Sequence, residues 1–215
     1  MLRLVLRVPL RTPRVKTTSM ATRGFDSSRA AAAVRELLIA IGEDPDRSEL
    51  RSTPERVAAS YAELCSGVGV DPSSVLGDPL PDTSGGEAVL VKDIELLSLC
   101  EHHLLPFKGV AHIAYLPSTQ IVGFGALPRL VSVLASRPQV QERLGEQIMT
   151  TLDSALATRG VLVVIEAVHG CMRDRGSRQT SATAVTVAAC GELREPLRRA
   201  ELMALIGEKR EGAAH

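Results

Sequence analysis

Residues 98–107, SLCEHHLLPF, set Cys100, Glu101, His102 and His103 in succession, in a chain with only four cysteines and five histidines. A second group, AVHGC, puts His169 and Cys171 two positions apart. Thiolate sulfur and imidazole nitrogen are the donors zinc takes from proteins. Cys100 and His103, three apart, suit ligands offered by a turn after a strand. Residues two apart at the end of a strand share one face, which sets His169 beside Cys171. Two thiolates and one imidazole form a three-ligand set with a fourth position left for water, the arrangement of catalytic rather than structural zinc. Zinc lowers the pKa of such a water to about 7. Spacing alone leaves other readings open. A free cysteine is commonly a small buried hydrophobe, and a Cys100–Cys171 disulfide would use the same two residues. Cys65, on an apolar helix face, and Cys190, at a strand end, have no histidine nearby and read as core. His112 alternates within a strand and reads as structural. His215 is terminal and expected to be disordered.

These groups need a scaffold. At 215 residues the chain is long enough for a real core, with one domain and an appended segment as the default. Apolar residues make up 45% and aromatics 2%, so the core must come from Leu, Val, Ile and Ala. Basic and acidic residues balance at 25 each, which argues against broad nucleic-acid binding and suits self-association. No apolar run approaches the length of a membrane span. The first 25 residues read as a basic, disordered extension; Arg3, Arg7 and Arg11 interrupt its apolar stretch, so it is a poor secretory signal. A cytoplasmic, reducing setting is expected, in which thiols serve as ligands rather than disulfides.

Residues 26–78 read as a helical region. One helix spans 27–45, capped by Ser27 or Ser28, and a second runs from Thr53, as N-cap, through about Cys65, with Pro54 in its first turn. Residues 79–210 read as a catalytic domain. Strands are expected at 87–99, 107–116 (alternating around Gly109), 160–169 and 180–190. Between the two pairs lie a helix from Arg129 to Ala135 and a longer one after Pro138, whose Val140, Leu144, Ile148, Leu152 and Leu156 form one stripe. A short amphipathic helix closes the chain around 195–207. The class is α+β: a four-stranded antiparallel sheet with helices on one face. Its two open edges need covering, and pairing with further subunits into a closed barrel would remove them.

Five ordered stretches, AIGEDPDRSELRSTPERVA, SLCEHHLLPFKGVAHIAYLP, RPQVQERLGEQI, EAVHGCMRDRG and TSATAVTV, resemble the GTP cyclohydrolase I family over nearly all of residues 30–207. The resemblance implies the tunnelling fold, with subunit sheets joined in a ring-shaped barrel, a homodecamer, and active sites at subunit interfaces. It implies hydrolytic opening of the guanine imidazole ring of GTP, formate release, and rearrangement to 7,8-dihydroneopterin triphosphate, in pterin and tetrahydrofolate biosynthesis and one-carbon metabolism. It implies Zn2+ held by Cys100, His103 and Cys171, and acid–base work by His102 and His169. Gln141 and Glu142 resemble guanine-recognition residues. Arg56, Arg129 and Arg175 resemble residues around the triphosphate, where forked Arg donors suit phosphate. Expected partners are a guanine nucleotide and further copies of the chain, not nucleic acid or membrane.

The resemblance breaks at GFGALPR. The family usually carries Gly-Leu-Ser-Lys-x-x-Arg there, so Gly125 stands for the serine and Ala126 for the lysine, both on the phosphate side, and Asp174 adds an acid beside Arg175. A charged hydrogen bond contributes about 1.5–3 kcal/mol. Its loss predicts relaxed phosphate recognition and a less phosphorylated guanine nucleoside or related purine as the alternative substrate, unless Lys108, Arg173, Arg178 or a neighbouring subunit compensates. A non-catalytic zinc-bound scaffold is the remaining alternative.

Overall fold

The structure, a computed structural model, describes residues 24–83 and 85–208. The expected N-terminal extension up to residue 23, and His215, lie outside the described residues.

The chain opens with two helices, α1 (Ser27–Ala40) and α2 (Thr53–Leu64), which pack on each other. The cap of α1 is Asp26 rather than Ser27 or Ser28: its carboxylate accepts the Arg29 N–H at 3.0 Å. The helix stops at Ala40, short of the expected 45, because Gly42 takes a left-handed backbone (φ 89°). Ser52 takes the N-cap position of α2, and Thr53 lies inside the helix. Arg35 clamps Asp46 with two hydrogen bonds, tying α1 to the connecting turn. No residue of α1 is buried, and Leu37, Ile39 and Ile41 are exposed.

The segment expected as loop after α2 holds a short 3-10 turn (Pro72–Val75) and a two-residue strand β1 (Leu80–Pro81). β1 pairs with β4 (Gln120–Ile121). The main sheet contains β2 (Val89–Cys100), β3 (Pro106–Leu116), β6 (Gly160–His169) and β7 (Ala184–Gly191), antiparallel in that order. The four expected strands are joined by a fifth: β5 (Pro138–Gln139) runs parallel to the end of β2, with Leu99 opposite Pro138 and Cys100 opposite Gln139. A bulge at Asp93 (φ 59°) interrupts the β2–β3 ladder, and Asp93 N–H donates to Nδ1 of the buried His112 at 3.1 Å.

Helices α3 (Ala126–Ala135) and α4 (Gln141–Leu156) cover one face. Leu127, Leu130, Leu134, Leu144, Ile148, Leu152 and Leu156 meet Ile113, Tyr115, Val161, Val163 and Ile165 in the main core. The alternate residues, Ala114, Leu116, Leu162 and Val164, turn to the other face. There α6 (Pro196–Gly207) supplies Leu202, Met203 and Ile206. Helices therefore lie on both faces, not one. The cause is legible in β6: Val161 to Ile165 are all buried, a continuous apolar run that needs cover on each side. Between β6 and β7 lies α5 (Gly170–Arg173), a single turn directly after β6.

Candidate active site

Two chain reversals build the site. At the β2–β3 hairpin, Cys100 N–H donates to Leu105 O and Leu104 N–H to Cys100 O, each at 2.8 Å, with Leu104 left-handed (φ 53°). This tight closure swings His103 back toward Cys100: Cys100 Sγ lies 3.9 Å from His103 Nδ1 and 3.8 Å from His102 Nδ1. At the other reversal β6 ends in His169 and passes into α5, which carries Cys171. Gly170 permits the approach, since a Cβ there would sit 2.9 Å from Pro106 O. β3 pairs with both β2 and β6, so the two reversals meet at one end of the sheet. One ligand atom from each of Cys100, His103 and Cys171 lies within 4.8 Å of the others. Burial, then the neighbouring Cys100, pushes the Cys171 thiol up, and Arg175 partly opposes this. All four cysteines are free thiols.

The remaining groups surround this cluster. The His102 side chain is exposed, with Nε2 4.0 Å from Glu101 Oε1. Arg143, in α4, grips the Glu101 carboxylate and holds it below the usual carboxylate range. His169 is half-buried; its ring stacks on Phe107 with centroids 4.7 Å apart and planes 10° from parallel. Its Nε2 lies 2.7 Å from Gln141 Oε1. Burial pushes the His169 imidazole down, and Glu142 partly opposes this. Gln141 is buried and Glu142, next to it in the first turn of α4, is exposed.

The family model for GTP cyclohydrolase I matches residues 30–207. The chain belongs to the GTP cyclohydrolase I family. The GTP cyclohydrolase 1 of Leifsonia xyli subsp. xyli is 55% identical over 185 residues, covering 86% of this chain and 97% of that protein. The GTP cyclohydrolase 1 of Mycobacterium ulcerans is 49% identical over 197 residues, covering 90% and 97%. Among solved structures, an archaeosine synthase QueF-like protein in its apo form aligns with 48% of this chain and 93% of its own at 15% identity and a TM-score of 0.41.

Within this GTP cyclohydrolase I family member, the residues expected at the site divide into two groups. Cys100, His102, His103, His169, Cys171, Gln141 and Glu142 gather around the β2–β3 turn, the end of β6 and the start of α4. Arg175 is exposed and near enough to act on the Cys171 thiol. Arg56 is exposed on α2, and the Arg129 Nε donates to Val75 O at 3.2 Å; among the described residues neither bonds to the cluster. Phe107 and Arg143 were missed by the motif reading. Phe107 could be placed only through its register opposite His169, and Arg143 stands 42 positions from the glutamate it grips. Among the described residues no helix is long and apolar enough to cross a membrane.

Proposed function

We propose that this chain catalyses zinc-dependent opening of the guanine imidazole ring of GTP, with release of formate and rearrangement to 7,8-dihydroneopterin triphosphate. The observation that carries the reading is the convergence of Cys100, His103 and Cys171 within 4.8 Å in a member of this family. Two thiols and one imidazole are a donor set that fits zinc and leaves it an open position. Zinc, when bound, supplies Lewis acidity and activates water at neutral pH. His102, exposed beside the ligands, and His169, at the end of β6, exchange protons with the opening ring and the leaving formyl group, since an imidazole offers both a donor and an acceptor nitrogen. Glu142 presents a carboxylate that accepts from the guanine ring N–H and amino group, a pair of donors adenine lacks. Arg175 serves the phosphates, joined by Arg56 and Arg129 once neighbouring copies assemble. The chain would work in the cytoplasm as a decameric ring of the tunnelling fold; what supports self-association is the open β7 edge, where Val185 and Val187 are exposed, and the bare apolar side chains of α1.

Formate release from GTP, GMP and guanosine by zinc-loaded protein tests the reading. A strong preference for GTP is expected. A second outcome, comparable turnover of GMP or guanosine, is favoured by one observation: Gly125 and the buried Ala126 place no polar side chain at the start of α3. No formate from any of the three would sink the enzyme reading in favour of a zinc-bound scaffold.

A further inference from the structure

Gln141 is 2% exposed, which is little for a polar side chain at the first position of a helix. Its Nε2 lies 2.9 Å from Ile165 O, 3.1 Å from Ala184 O and 3.1 Å from Thr186 Oγ1. Two of these partners are backbone carbonyls, which only accept. The side of the carboxamide that faces them must therefore be the NH2 group; turned over, its oxygen would lie against two carbonyl oxygens. That fixes Oε1 on the opposite side, 2.7 Å from His169 Nε2. An amide oxygen only accepts, so His169 must donate from Nε2. In the neutral ring the lone pair is then on Nδ1. The stacked Phe107 ring sets the imidazole plane, and the Gln141 contact sets its rotation within that plane.

We infer that Gln141 is a positioning residue that locks His169 in the Nε2–H tautomer and leaves Nδ1 to exchange protons with the substrate, rather than a group that reads the guanine. The assignment rests on the proposed role of His169 in ring opening. It gives the two adjacent residues at the start of α4 different tasks. Glu142 faces outward to the base; Gln141 faces inward to the catalytic ring. The lock is anchored in the sheet, because Ile165 belongs to β6 and Ala184 and Thr186 to β7, with Ile165 opposite Thr186 in the ladder. The tautomer of His169 thus depends on the pairing of the two strands beneath it.

Solid-state 15N spectra of histidine-labelled, zinc-loaded protein test this, with the His169 signals identified by their loss in His169→Asn. The expected wild-type spectrum has a protonated Nε2 and an unprotonated Nδ1. Gln141→Met, similar in volume but without an amide, should give a mixture of tautomers. In steady-state assays with GTP the same variant should lower kcat about 10- to 100-fold, with KM changed less than about twofold and zinc content unchanged. An Nδ1–H tautomer in wild type, or a Gln141→Met enzyme with a raised KM and an intact kcat, would overturn the assignment. If Gln141→Met does not fold, the wild-type spectrum decides. If wild-type protein releases no formate from GTP, the proposed function fails, and the spectrum still tests the lock by itself.

Discussion

Gly109→Ala should separate the two halves of the site without touching any residue in it. Gly109 lies in β3 opposite Ala167 of β6. A Cβ on Gly109 would fall 1.9 Å from Glu166 O, 2.6 Å from Ala167 Cα and 2.8 Å from Glu166 C. All three are backbone atoms, so no side-chain rotation relieves the clash. Bringing the nearest contact from 1.9 Å to an ordinary 3.4 Å requires a retreat of about 1.5 Å. A glycine within a strand commonly marks such a close approach of backbones. Opening the ladder here sacrifices about two hydrogen bonds at roughly 1 kcal/mol each and leaves buried polar groups unmatched, for a total of about 3–5 kcal/mol. At roughly 2–4 °C per kcal/mol for a chain of this size, the midpoint should fall by about 6–20 °C. The pair Phe107–His169 lies two positions further along the same ladder, so Cys171 should also draw away from Cys100 and His103. Thermal unfolding and zinc content per chain are the two readouts. Gly207→Ala is the control, since nothing lies within 4 Å of a Cβ there. A Gly109→Ala protein that melts within about 2 °C of wild type and holds a full complement of zinc would refute the close-approach argument.

Three further outcomes are expected. Ile148→Ala, at a fully buried position of α4, should cost about 2–5 kcal/mol in denaturant unfolding, and a loss under 1 kcal/mol would mean the α4 stripe is not the core it resembles. Because the Cys171 thiol is pushed up by burial and by Cys100, zinc uptake must release its proton, so affinity should rise with pH, about tenfold per unit for each proton released; calorimetry in buffers of differing ionisation heat counts the protons, and a count of zero excludes thiol ligation. Burial holds the His169 imidazole below its ordinary value, so the unfolded chain binds more protons as pH falls through about 6.5. Metal-free protein should therefore lose stability from that pH down to the folded value and gain none from this residue above it, a slope that His169→Asn should reduce.

The main strands were legible because their composition left little choice. GVLVVIEAVH, expected at 160–169, is β6 over the same residues. The three residues whose ligand atoms converge were legible too, since Cys, His and Cys at the ends of strands carry a recognisable spacing. Geometry decided by single hydrogen bonds was not legible. Asp26 outcompetes two serines for the α1 cap because its carboxylate meets the Arg29 N–H, a choice composition cannot rank. β5 is only two residues long and contains a proline, so no periodicity announces it. Gln141 reads in sequence, with Glu142, as one of a pair resembling guanine-recognition residues; its burial follows from β6 and β7 lying beneath that turn, a long-range fact. Arg56 and Arg129 matched a family pattern, yet a match says nothing about where in the fold a side chain lies.

The three candidate ligands come from strands that do not touch. β2 brings Cys100 and His103, β6 leads into Cys171, and β3 stands between them. Their meeting requires two ladders, β2–β3 and β3–β6, to be aligned at once. A slip of one residue in either would shift a ligand by about 3.3 Å and turn the flanking side chains to the opposite face, which a cluster only 4.8 Å across does not tolerate. Capture of a metal by this cluster would therefore act as a gauge of strand alignment: a chain threaded out of step would forfeit the binding energy of the ion, and a chain threaded in step would be cross-linked across 68 residues, from His103 to Cys171, the kind of long loop whose closure by a metal clip most constrains the unfolded ensemble. Proofreading of the sheet and arming of the site would then be a single event.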